Sequence, residues 1–134
     1  MLGYQQFRRN MALGRAQHFA DLRKRREESD VFRKLIPLLD VDDEHLRSVS
    51  WAEKIVFISY YKDVALLVKS GLMREEVAFQ LFGNHAARCW NSDHFWDGIN
   101  RGSVYIELFK EFAERMLELE KIWESGERLD RCIL

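Results

Sequence analysis

The chain has 134 residues, 47% apolar and 13% aromatic, which excludes intrinsic disorder and supplies one domain's core without a disulfide or metal staple. Its longest stretch free of Asp, Glu, Lys and Arg is residues 77–87, too short to cross a bilayer. The net charge of −1 conceals a basic front: up to residue 26, Arg8, Arg9, Arg15, Arg23, Lys24, Arg25 and Arg26 stand against Asp21 alone, so the remainder carries −7.

The first segment, residues 1–28, reads as a long basic helix with a narrow apolar stripe of Phe7, Met11, His18, Phe19 and Leu22. Ser29 is placed to cap a second helix through Val31, Phe32, Leu35 and Ile36, which Pro37 should bend or end. The acidic run from Asp40 to Glu44 is a polar connector or the acid-rich first turn of the next helix. Ser50-Trp51-Ala52-Glu53 is a capping box, in which the serine oxygen takes one free amide and the glutamate another. The helix it opens, residues 51–70, is apolar on most sides and is expected at the centre, surrounded by others. Gly71 suits the left-handed residue that stops it.

Val77, Ala78, Leu81, Phe82, His85, Ala86, Cys89 and Trp90 step alternately by one and three, one helical stripe running unbroken across Gly83-Asn84. Residues 91–102 look irregular, with a helical turn around Phe95 and Trp96. Ser103 caps a last helix that stops at Gly126. Its apolar positions form two seven-residue series, Tyr105, Phe112, Leu119 and Phe109, Met116, Trp123, which together make an a/d seam suited to pairing with another helix. Residues 127–134 are a tail in which Cys132, Ile133 and Leu134 are apolar. No period-two strand pattern survives. The expected fold is all-α: a single bundle, residues 29–126, of four to five main helices counted with the long N-terminal one.

Chemistry-bearing clusters are few. His85 and Cys89 lie four apart on one face, with Asp93 and His94 beyond, a spacing that can chelate a metal; both also lie inside the apolar stripe, where core roles are commoner. No Glu-x-x-His occurs, so a di-metal carboxylate site is disfavoured, and Glu107, Glu111, Glu114, Glu118 and Glu120 read as a solvated face. Nucleophile elbows, Cys-x-x-Cys pairs and phosphate-cradling glycine loops are missing. No cofactor is expected, and enzymatic activity is disfavoured. The basic residues named above can neutralise phosphates of nucleic acid or anionic lipid, or can face the acidic body or a neighbouring subunit. The aromatic segment of Trp90, Phe95 and Trp96, flanked by Arg101, is either a recognition surface centred on Trp96 and Arg101 or the end of the core.

The order of features from residue 60 on is Tyr61-Lys62-Asp63-Val64 through Lys69-Ser70-Gly71-Leu72, then Glu75-Glu76-Val77-Ala78, Leu81-Phe82-Gly83, Cys89-Trp90, Arg101 and Tyr105, Phe109, Phe112. It resembles a bacterial family, domain of unknown function 4760, over roughly the last two-thirds of the chain. The resemblance implies a bacterial protein with a Gly-bounded turn between two helices and a closing aromatic helix, and brings no catalytic residues. Members are often preceded by membrane-spanning helices; here a basic helix stands instead, and Met73 occupies the place of an acidic cap.

The functional expectation is a non-enzymatic interaction or regulatory module that self-associates through its first or last helix, or binds another protein. The alternatives are a nucleic-acid-binding accessory protein using the first helix and a metal-dependent enzyme around His85, Cys89 and His94. Two cysteines make no disulfide framework and no apolar leader is evident, so the expected location is the cytoplasm, with membrane-surface association through the basic helix as a variant.

Overall fold

The computed structural model describes residues 2–125. Helix α1 (Leu2–Glu28) is followed by α2 (Asp30–Asp40), a 3-10 turn (Glu44–Ser48) and α3 (Trp51–Lys69). A short α4 (Glu75–Ala78) runs through a π turn (Phe79–Gly83) into α5 (Asn84–Asn91), and a second 3-10 turn (Val104–Ile106) leads into α6 (Glu107–Glu124). The fold is all-α, and no strand occurs among the described residues. The Gly126 stop, Cys132 and the rest of the tail lie outside those residues, as do the side chains of Phe7 and Met11.

The helix boundaries arise from caps written into the sequence. Ser29 accepts the Phe32 amide at 3.4 Å, Ser50 the Glu53 amide at 3.2 Å, and Ser103 the Tyr105 amide at 3.3 Å. At the end of α3, Gly71 takes φ +77. The Leu72 amide reaches back to the Leu67 carbonyl and the Gly71 amide to that of Val68, the paired bonds of a Schellman stop. Pro37 does not end α2, which continues past it to Asp40: the ring faces solvent and removes a single amide near the helix end.

The core is aromatic. Phe32 meets Phe57 and Tyr60 at ring-centroid distances of 5.0 and 4.8 Å, and Tyr61 meets Phe57, Phe109 and Phe112. Burial pushes the Tyr60 phenol up to about 12, and its hydroxyl donates to the Leu22 carbonyl at 2.9 Å, tying α1 to α3. Helix α3 is not surrounded. Its Phe57–Ile58–Tyr61–Val64 side is buried, but Trp51, Val56 and Leu66 are exposed, since α6, α2 and α4 pack against it without closing the remaining face.

The unbroken rod from α4 to α5 contains a device the apolar stripe does not announce. The π turn adds a residue to one helical turn and ends on Gly83. A Cβ there would lie 2.7 Å from Met116 Sδ and 3.4 Å from Phe79, so the missing side chain is what lets α6 approach. Arg115 of α6 then clamps Glu75 at the start of α4 with two bonds, 2.7 and 3.0 Å.

The last helix corrects the seam. Phe109, Phe112, Met116 and Leu119 are buried against the chain's own α3 and α5; only Tyr105 and Trp123, at 44% and 50% exposure, face outward. A heptad pattern marks one apolar face whichever surface covers it, and here the fold itself covers most of it.

Candidate functional site

The first helix is divided by its tethers. Every described side chain from Gly3 to Leu13 is exposed, with Tyr4 at 63% and Leu13 at 62%. From residue 15 on, α1 is bound to the bundle. Arg15 Nη2 donates to the Gly71 carbonyl at 3.2 Å, Arg25 pairs with Asp63 at 2.9 Å, and Leu22 is buried. Arg26 is engaged most fully, donating to the Leu81 carbonyl at 3.1 Å and to His85 Nδ1 at 3.1 Å. Arg33 closes the helix end by donating to the Glu27 carbonyl at 3.0 Å.

This geometry sorts the seven basic residues. Arg23 pairs with Glu27 within the helix, while Arg15, Arg25 and Arg26 hold the helix to its own body. Within the dense run of residues 23–26, Arg25 and Arg26 are thus bonded to the body, while Arg23 is paired only within its own exposed helix turn. Arg8, Arg9 and Lys24 form no hydrogen bond or ion pair with a described residue and point to solvent. The partners Asp63, Leu81 and His85 lie 38 to 59 residues away, and no local pattern announces them.

Opposite in charge to α1 is the outer surface of α6. Glu107, Glu111, Glu114 and Glu118 are exposed and spaced by four, three and four, a single stripe along the helix. Glu111 is paired with Lys69 and Glu118 with Arg115, at 2.9 and 3.0 Å; Glu107 and Glu114 have no ion pair among the described residues.

The candidate metal set is not assembled. Arginine can only donate, so the Arg26 bond requires an unprotonated His85 Nδ1, and Nε2–H then donates to Asp40 at 3.0 Å. Both ring nitrogens are used. Burial, with Arg26 beside it, holds the His85 imidazole below its ordinary value. Cys89 is fully buried, and desolvation pushes its thiol well up, the opposite of what a thiolate ligand needs. His94 Nδ1 accepts from Arg47 Nε at 2.8 Å, and Asp93 pairs with Arg101 at 3.0 Å. No group of three His, Cys, Asp or Glu is placed to hold a metal ion among the described residues.

The aromatic segment closes the core instead of forming a recognition surface. Phe95 and Trp96 are buried, and the Trp96 indole donates to the Cys89 carbonyl at 2.8 Å. Arg101 stacks over Trp90 and Trp96, 5.6 and 5.7 Å from their centroids, and donates to the Ser92 carbonyl. Its guanidinium seals the end of the bundle.

Compared with family models, curated proteins and solved structures, the chain matches none.

Proposed function

We propose that this protein is a helical interaction module that self-associates, the free half of α1 of one copy lying on the acidic stripe of α6 of a second. The observation that carries this reading is the exposed set Tyr4, Arg8, Arg9 and Leu13, ahead of the first tether at Arg15. That half carries basic charge and no acid, while α6 offers Glu107 and Glu114, which have no ion pair among the described residues. The reciprocal contact closes as a two-fold dimer, because each copy supplies both surfaces. Tyr4, one turn before Arg8 on the same face, gives the contact an apolar anchor, and the charges fix its register. Of the first and last helices, either of which the sequence offers for self-association, α6 has its heptads spent on the core, so the apolar part of the contact falls to α1.

A charge exchange tests this. Arg8→Glu with Arg9→Glu is expected to leave a folded monomer by light scattering, as is Glu107→Arg with Glu114→Arg. Mixing the two variants restores a heterodimer. Retained self-association in both variants, or no heterodimer on mixing, overturns the pairing. Phosphate binding by the same helix predicts instead that the arginine pair weakens a nucleic-acid complex, while the glutamate pair leaves it unchanged.

A further inference from the structure

At the end of the bundle opposite the α1 tethers, the first turn of α3 carries a lysine that the fold leaves without a partner. Lys54 is 2% exposed, the only described Lys, Arg, Asp or Glu in the buried class. Its ammonium lies over the Phe95 ring, 5.2 Å from the centroid, and neither a hydrogen bond nor an ion pair joins it to any described residue. Its Nζ is not among the side-chain atoms sealed from solvent, so the stem is packed while the ammonium opens on water, a charge for which an anion is the complementary partner. Desolvation holds the amine below its ordinary value, with Asp97 acting in the opposite sense through space.

Lys54 lines a cavity of about 520 Å³ between the Glu44–Ser48 turn, the start of α3 and the 97–106 segment. Arg47 stands at the same cavity, its Nε bonded to His94 and its terminal nitrogens without a described partner. Trp51 and Tyr105 form the two aromatic walls, each partly exposed, and Ile99 and Ile106 add apolar surface. Asp97 also lines the cavity, but it is exposed and forms no ion pair with Lys54, so its charge is screened by water. The volume falls within the range of small-molecule sites, and the lining is apolar with a few convergent polar groups.

We propose that this cavity binds a small organic carboxylate, anchored on Lys54 and Arg47, with its apolar body between Trp51 and Tyr105. The carboxylate supplies the counter-charge that no described residue gives the Lys54 ammonium, and charge-assisted bonds from a lysine and an arginine are the strong kind. The aromatic walls select an organic acid over a bare inorganic anion. This site is separate from the α1 and α6 surfaces and stands or falls independently of them.

Calorimetric titration of the full chain with phenylacetate tests it, with phenylacetamide as the uncharged analogue and inorganic phosphate as the anion without an apolar body. Phenylacetate is expected to bind, the amide and phosphate at least about tenfold more weakly. Lys54→Met keeps the apolar stem and removes the charge. It is expected to melt at or above the parent temperature and to lose phenylacetate binding about ten- to a hundredfold. Arg47→Gln, on an exposed side chain, weakens binding several-fold with the fold intact, and carries the test if the Lys54 variant does not fold. No phenylacetate binding, equal binding of the amide, preference for phosphate, or affinity unchanged in the variants each overturns the proposal.

Discussion

From Arg15 to Glu28, α1 is held by a buried leucine, a hydroxyl from Tyr60 and guanidinium bonds to two loop or helix carbonyls; from Gly3 to Leu13 the same helix touches solvent on every described side chain. The two halves share basic composition, and helical conformation continues through both. What separates them is where the charge goes. In the second half arginines end on acceptors supplied by α3, the Gly71 turn and the π turn, and so act as tethers. In the first half, about 17 Å of helix, they end on water. Basic charge along one helix thus does two kinds of work, and only position relative to the bundle tells them apart.

The tethered half is most vulnerable at Leu22. Leu22→Ala should cost about 2–5 kcal/mol in urea unfolding, as a buried leucine whose loss leaves a cavity between α1 and the core. A cost near zero would mean the second half of α1 is not part of the bundle. Arg26→Met comes next: it deletes the bonds to Leu81 and His85 and should cost about 1–2 kcal/mol by the same measurement.

Acidification probes the same tether. His85 is neutral in the fold and its value lies below the unfolded one, so the unfolded chain takes up the proton first. The contribution of this group to stability is therefore full above the unfolded value of about 6.5 and is lost progressively as pH falls from there through the lower folded value. His85→Gln should flatten that slope; an unchanged slope would remove His85 as its source. Smallest is the effect of Arg8→Glu with Arg9→Glu on unfolding at high salt, where pairing of copies is screened, expected within about 0.5 kcal/mol because neither side chain bonds to the body. A loss near that of Arg26→Met would erase the division between the halves.

Much of the architecture was legible because its signals are local. Ser29 and Ser50 each cap the helix they precede, Ser103 caps the 3-10 turn ahead of α6 while α6 itself starts without a side-chain cap, and Gly71 takes the positive φ its position asks for. The stripe from Val77 to Trp90 indicated one rod, although the π turn inside it leaves no mark beyond Gly83, whose role depends on Met116 from another helix. The heptads of α6 specified a helix and its apolar face, but periodicity is blind to whether that face meets α3 or a second chain. Trp96 and Arg101 carried the composition of a recognition surface, and their contact with each other and with Cys89 depends on how the 91–102 segment folds back. Lys54 was the least legible. A lysine three residues before Phe57 and four before Ile58 stands on the buried row of α3, a signal present in the spacing but indistinguishable from a charge that snorkels to the surface.

Pairing of two copies through the free half of α1 is tested most directly by light scattering of the unmodified protein across a salt series. A contact between Arg8 and Arg9 and the exposed glutamates of α6 is screened as ionic strength rises. Twice the 16.0 kDa chain mass is expected at low salt, falling toward the single-chain mass as salt is raised. A single-chain mass at every salt and protein concentration would contradict the pairing.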